Sequence, residues 1–189
     1  MVIKPSVQDF LDAATSFGFS RKYNFQIESI EGLPQQIPFD PRFLLYVQSA
    51  RLPSRKITTT VVPFRAFEYN VPTIATYPDN TNWPVTFISD NQNFIRSIFE
   101  AWNTVLYNEQ NQTAQNINFG GCKIVFNLLG DQSNLHKNYK KYILWGAFPT
   151  LLEGVEYNIT DTGNQVITFN ATFAYQYFTV ETVTRDSDQ

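Results

Sequence analysis

A chain of 189 residues with only 16% charged and 16% aromatic side chains is long enough for one domain that buries roughly 70% of its extended surface, yet it spends few charges on solvent. The formal net charge of -3 supplies no basic footprint for nucleic-acid binding, and no apolar run approaches the ~18 residues of a membrane helix. One histidine and one cysteine cannot build a four-ligand His/Cys metal cluster. Such a composition suits a β-protein, or a subunit whose surface is largely used by neighbours.

Residues 1–10, MVIKPSVQDF, lack the apolar core of a signal peptide. The single Cys122 excludes an intramolecular disulfide and fits synthesis in the cytosol. Without a signal peptide, the Asn-x-Thr triplets at Asn111, Asn158 and Asn170 are chance products of an Asn/Thr-rich chain.

Taken in order, residues 6–17 predict a short amphipathic helix. Val7, Phe10, Leu11 and Ala14 share a face, Ser6 caps with Asp9 at N3, and Gly18 follows as a stop. A strand follows in which Tyr23, Phe25 and Ile27 alternate with Asn24, Gln26 and Glu28. Residues 31–41 carry three prolines and read as loop. A mostly apolar strand is expected over 43–52, ended by Pro53.

Residues 55–78 predict a hairpin with arms over 56–62 and 70–76 and a bend over 63–69. Its Thr-rich arms show no sharp inside and outside, and they hold prolines, which strands tolerate only at edges. A protruding hairpin is therefore expected. Another short strand covers 83–88. The main helix follows, with a capping box at Ser89-Asp90-Asn91-Gln92 and an apolar stripe of Phe94, Ile95, Ile98, Phe99, Trp102, Val105 and Leu106. It is expected to end near Tyr107. Strand returns over 119–129 with Cys122, Ile124, Phe126 and Leu128 on one face, Gly120-Gly121 reading as a bulge. Residues 131–138 read as loop.

The last third predicts a long hairpin. Val155, Tyr157 and Ile159 alternate with polar residues, Asp161-Thr162-Gly163-Asn164 makes the turn, and 166–180 forms one closing strand. On that strand Ile167, Phe169, Ala171, Phe173, Tyr175 and Tyr177 share a face, opposite Thr168, Asn170, Thr172 and Gln176. Residues 181–189 are expected as a flexible tail, 1–19 as an N-terminal arm with its helix, and 1–189 as a single domain. The expected fold is mainly β (α+β): an antiparallel sandwich or split barrel with one long flanking helix.

Little chemistry is available in this chain. His136 sits with Lys137, Lys140 and Lys141 in a stretch that reads as a solvated loop. Ser133 stands too near His136 in sequence to suggest a built Ser-His-Asp site. Glu153 with Glu156 is the nearest thing to a glycosidase carboxylate pair, but nothing places it in a cleft. There is no glycine-rich phosphate loop, and no cofactor is expected. The rival from another class is a carbohydrate-binding module with Trp83 as its stacking platform. Trp102 and Trp145 read as core.

The order of several segments resembles the tail tube proteins of contractile-tailed bacteriophages. They are the corner Ala50-Arg51-Leu52-Pro53, a long hairpin through Val62, Pro63 and Phe64, and WPVTFISD at 83–90 leading to a helix ending FEAW at 99–102. Last come the corner at 144–149 and the closing strand ITFNATFAYQYF. Residues 31–41 and 110–140 exceed a minimal tube domain. That leaves open a baseplate tube initiator, or a tube-like protein of a related contractile injection system.

The resemblance implies a structural virion protein, not an enzyme. It implies hexameric rings whose sheets join into an inner barrel and which stack into a conduit for the genome. The implied partners are further copies of the chain, sheath, baseplate, tail terminator and tape measure proteins, with duplex DNA passing unbound. The implied location is the virion tail, assembled in the host cytoplasm. Phe64, Arg65, Phe67, Glu68, Arg55 and Lys56 are then candidates for contacts between rings or subunits. A wall facing DNA should be polar or acidic, because each cation on it adds affinity for phosphate. The candidate lumen faces are Asn24, Gln26 and Glu28, or Thr168, Asn170 and Thr172. Arg51, Arg55, Lys56 and the lysines of 137–141 should lie off that wall or pair across subunits.

Overall fold

The structure is a computed structural model that describes residues 6–17, 22–35, 37, 40–108, 113–114, 122–129, 138–157 and 166–184. Helix α1 (Val7–Phe17) begins as its sequence predicts. The Asp9 carboxylate accepts from Ser6 N at 2.7 Å, and Ser6 Oγ accepts from Asp9 N at 3.1 Å. Two orphan donors at the helix start are thereby satisfied.

Two four-stranded antiparallel sheets carry the fold, with strands numbered in chain order. Sheet I runs β1 (Phe25–Glu31), β8 (Lys123–Leu128), β9 (Asn138–Trp145), β12 (Tyr177–Thr184). Sheet II runs β10 (Phe148–Leu152), β11 (Thr168–Ala174), β5 (Trp83–Ile88), β2 (Val47–Ala50). Among the described residues, β3 (Lys56–Phe64) and β4 (Phe67–Thr76) pair only with each other, as do the short β6 (Tyr107–Asn108) and β7 (Thr113–Ala114). The architecture is mainly β with few helices, as the alternating runs predict.

Aromatic side chains weld the layers. Trp83 is fully buried; its indole N–H donates to the Arg51 carbonyl at 2.6 Å, and its ring meets Phe126 of sheet I edge-on at 6.4 Å. Farther along sheet II, Phe87, Phe169 and Phe173 meet Phe99 of helix α2 (Phe94–Leu106) at 5.0, 6.4 and 5.7 Å. One face of sheet II is thus covered partly by sheet I and partly by α2, which buries Ile95, Ile98, Phe99 and Trp102. Apolar burial of this kind yields about 1.5–3 kcal/mol for each large side chain. Cys122 belongs to the same core: its thiol donates to the Gly32 carbonyl at 3.0 Å, and burial pushes its pKa up.

Several expectations give way, each for a local reason. The strand expected over 43–52 is strand only over Val47–Ala50; Pro41–Tyr46 is a 3-10 helix. Asp40 caps it by accepting from Arg42 N at 2.9 Å, and Pro41 pre-sets the helical φ. The capping box at 89–92 does not form. Asn93 is the N-cap, in the left-handed region at φ 52°, without a side-chain cap bond. The Asp90 carboxylate instead accepts from Phe94 N and Ile95 N at 3.0 and 3.2 Å. Burial pushes its pKa up, but these backbone bonds outweigh burial and leave it lowered.

The closing strand expected over 166–180 is two strands in different sheets. At the corner, Tyr175 N donates to Asn80 O and Gln176 N to Trp145 O, both at 2.8 Å. β9 and β10 change sheets in the same way, across Gly146 at φ 64°, a value open to glycine without strain. Residues 153–157 are not strand, and residues 181–184 of the expected tail belong to β12. The turn at 161–164, the Gly120-Gly121 bulge and most of the 131–138 loop lie outside the described residues.

Candidate functional site

Nothing among the described residues assembles a reaction centre. No group of three His, Cys, Asp or Glu could hold a metal ion. A cleft of about 320 Å³ at the start of α2 is lined by Asp40, Arg42 and Asp90. Both carboxylates there are already engaged, Asp40 with the Arg42 guanidinium and Asp90 with the helix N–H groups. Glu153 and Glu156 are exposed, and Glu153 accepts from Asn170 Nδ2 at 2.8 Å. His136 and Ser133 lie outside the described residues. The proposed sugar platform, Trp83, has no accessible face. Trp145, expected in the core, is only half-buried: it stacks on Tyr177 at 6.2 Å, and its N–H donates to Thr179 Oγ1 at 3.1 Å.

What the molecule offers instead is surface. The β3–β4 hairpin is longer than its sequence predicts, because the pairing Phe64↔Phe67 confines the turn to Arg65 and Ala66. Pro63 and Pro72 sit within the strands, as a two-stranded sheet with open edges allows. Threonines lace the arms: Thr58 Oγ1 donates to Ile74 O and Thr73 Oγ1 to Thr58 O, both at 3.1 Å. Yet Ile57, Val61, Val62, Phe64, Phe67, Tyr69, Val71 and Ile74 all stay exposed, Phe67 at 68%. A lone hairpin is marginal in water, and Val62, Phe64, Phe67 and Tyr69 share one face of this one toward its tip. Of the residues predicted to make contacts, the hairpin brings Phe64, Arg65, Phe67 and Glu68 together at its tip. It leaves Arg55 and Lys56 at its base. Arg65 lies over the Phe64 ring at 5.5 Å.

The two candidate lumen faces belong to the outward sides of different sheets. On sheet I, register places Glu31, Lys123, Trp145 and Tyr177 in one cross-strand row, and Ser29, Val125, Ile143 and Thr179 in the next. A third row holds Gln26, Asn127, Lys141 and Glu181, with Glu28 on the bulge of β1 beside it. Both lysines are held: Lys123 Nζ lies 2.7 Å from Glu31, and Lys141 Nζ 3.0 Å from Glu28. The lysine hydrogen bond in each pair is the main reason the Glu31 and Glu28 carboxyls titrate below their usual range.

On sheet II the outward side is an uncharged ladder. Ser49 Oγ donates to Thr86 Oγ1 at 2.9 Å, and Thr86 Oγ1 to Asn170 Oδ1 at 2.7 Å. Asn170 then reaches the Glu153 carboxylate at the sheet margin. Thr172, a candidate on this face, is buried, whereas Thr168 is exposed. The pairing of Lys123 and Lys141 escaped sequence reasoning because their partners lie on a strand roughly a hundred residues away. The alternation Lys123-Val125-Asn127 was its only local trace.

The phage tail tube protein family profile matches residues 16–181. None of the curated proteins compared matches the chain. Among solved structures, a chain of the anti-feeding prophage baseplate, 6-fold symmetrised, is similar at 15% identity and TM-score 0.54, over 86% of this chain and 95% of that one. A chain of the anti-feeding prophage tube terminating cap aligns at 15% identity and TM-score 0.49, over 87% and 92%. A chain of the sheath-tube complex of the extracellular contractile injection system PVC aligns at 14% and 0.46, over 91% and 97%.

Proposed function

This chain belongs to the phage tail tube protein family, which is structural and not enzymatic, and from that premise we propose that it assembles into hexameric rings that stack into the conduit through which the genome leaves. The observation that carries the reading is the projecting β3–β4 hairpin, on which Ile57, Val61, Val62, Phe64, Phe67, Tyr69, Val71 and Ile74 all stand in solvent. A second copy is the natural cover for that surface. Ring closure also answers the problem of open sheet edges, because each edge strand gains a neighbour. The number six comes from the family resemblance and is supported by the six-fold baseplate that holds a chain of this fold.

In this reading the hairpin bridges stacked rings through Phe64 and Phe67. Arg65, Glu68, Arg55 and Lys56 contribute at its tip and base. The channel wall is an outward sheet face without uncompensated cations, so that duplex DNA slides past and is not held. The partners are sheath, baseplate, terminator and tape measure proteins, and the site of assembly is the host cytoplasm. A baseplate tube initiator is the second reading, favoured by the long segments 31–41 and 110–140. Native mass spectrometry of the concentrated protein tests the proposal: a dominant species of six copies supports it, and monomers alone across several salt conditions would sink it.

A further inference from the structure

We infer that helix α1 of one copy docks its apolar face into the groove between β1 and β2 of a second copy. Such docking rests on the self-assembly proposed above, and it is distinct from the contact made by the β3–β4 hairpin.

The helix has the makings of a segment that needs cover. Val7, Phe10, Leu11 and Ala14 recur at the i, i+3, i+4, i+7 spacing by which a helix anchors in a groove. Yet Val7 is 78% exposed, Phe10 60% and Leu11 50%. Isolated helices shorter than ~12–15 residues are marginal in water, and α1 has 11 residues. The bonds between Ser6 and Asp9 satisfy its first turn but bury no apolar surface. Packing of the apolar stripe is what holds a helix of this length in one place. All but the last two residues of α1 precede the part of the chain that the family profile matches, so that match assigns the helix no role.

A surface that fits the stripe lies on the same chain. A groove of about 840 Å³ is lined by Phe25 and Leu128 from sheet I and by Val47, Ala50 and Leu52 on the side of sheet II. None of its described lining comes from α1, so the helix leaves the groove of its own copy open. Charge agrees with the shape. Asp9 and Asp12 are the only charged residues of α1, whereas Lys22 is the one charged residue in the described lining of the groove.

Connectivity limits which groove the helix can reach. Lys22, on the groove, follows Phe17 at the end of α1 by five residues, a span of at most about 18 Å. The helix itself adds about 16 Å at its rise per residue. The receiving groove must therefore begin within about 34 Å of the first one. That is close to the diameter of a small domain, about 30 Å, so only a directly adjacent copy qualifies. A helix on one surface that enters a groove on another makes a head-to-tail contact, of the kind that closes into rings or propagates.

Disulfide trapping in mixtures of full-length single variants tests the contact, with the buried Cys122 left in place. Leu11→Cys protein is mixed with Leu52→Cys protein under conditions in which the parent assembles, and the mixture is oxidised. Gln8→Cys, outside the apolar stripe, replaces Leu11→Cys in a control. Dimers that join one chain of each variant are expected, at several-fold higher yield than with the control. Leu11→Asp should keep the parent circular dichroism spectrum and lower the assembled fraction several-fold in sedimentation velocity; an unchanged fraction would count against the docking. Equal yields with Gln8→Cys, or no mixed dimer from particles that remain assembled, overturn the inference while leaving self-assembly intact. A double variant, Leu11→Cys with Leu52→Cys, that closes on itself as a monomer and gives no linked multimers also overturns it, because α1 then fills its own groove. A parent that stays monomeric in every condition removes the assembly reading, and this inference with it.

Discussion

Tyr175 stands at the corner where the chain leaves sheet II for sheet I. It is buried at 1% exposure, and its hydroxyl has no partner among the described residues. Burial, with smaller contributions from Asp79 and Tyr77, pushes its pKa from 10.0 up to about 12. Between those values the unfolded chain has lost the proton that the folded chain keeps, so stability falls as pH rises through that window. Tyr175→Phe removes both the titration and a buried hydroxyl whose desolvation no group among the described residues offsets. Thermal melts should show the variant at least as stable as the parent at pH 7 and less sensitive to alkali above pH 10. A clear loss of stability at neutral pH would mean that the hydroxyl makes a bond that matters. Trp83, at the same scale, separates two classes of function: a ring at 0% exposure, tied to Arg51 by its N–H, cannot stack on a sugar.

Among the elements, the β3–β4 hairpin is where fold and assembly part company. Its pairing runs from Lys56↔Thr76 to Phe64↔Phe67 with one register shift, at Thr73. What it lacks is cover for its apolar side chains. Phe67→Ser removes an exposed ring at the tip, and substitutions of exposed residues usually change stability by no more than about 0.5 kcal/mol. The variant should therefore keep the parent circular dichroism spectrum while losing filaments in negative-stain images. Filaments growing at the normal rate would take the tip out of the ring contact.

The same hairpin shows what a sequence can carry. Arms without an inside and outside face, interrupted by prolines, already described an element that packs on nothing of its own. β5 and α2 were equally legible, because strict alternation in 83–88 and the 3.6-residue stripe around Phe99 each belong to one element with one buried side. The corners were not. Alternation of side-chain type runs unbroken through Tyr175 and Tyr177 although the strand changes sheets between them, and it gives no sign that Tyr175 is buried and Tyr177 exposed. The cap of α2 failed for a different reason: Ser89, Asp90 and Asn93 all suit an N-cap, and only the chain path selects the Asp90 carboxylate for the free N–H groups. The two outward faces remained candidates because period two identifies a face without saying which sheet it belongs to.

For the whole molecule, sparse charge and a bare apolar hairpin support the proposal that it assembles with copies of itself. Electron cryo-microscopy of the purified protein at high concentration tests it most directly. Six-fold rings around an open channel are expected, stacked through the β3–β4 hairpins in a tube subunit or halting at a single ring in an initiator. Compact monomers in every condition, or closed particles without a channel, would contradict it.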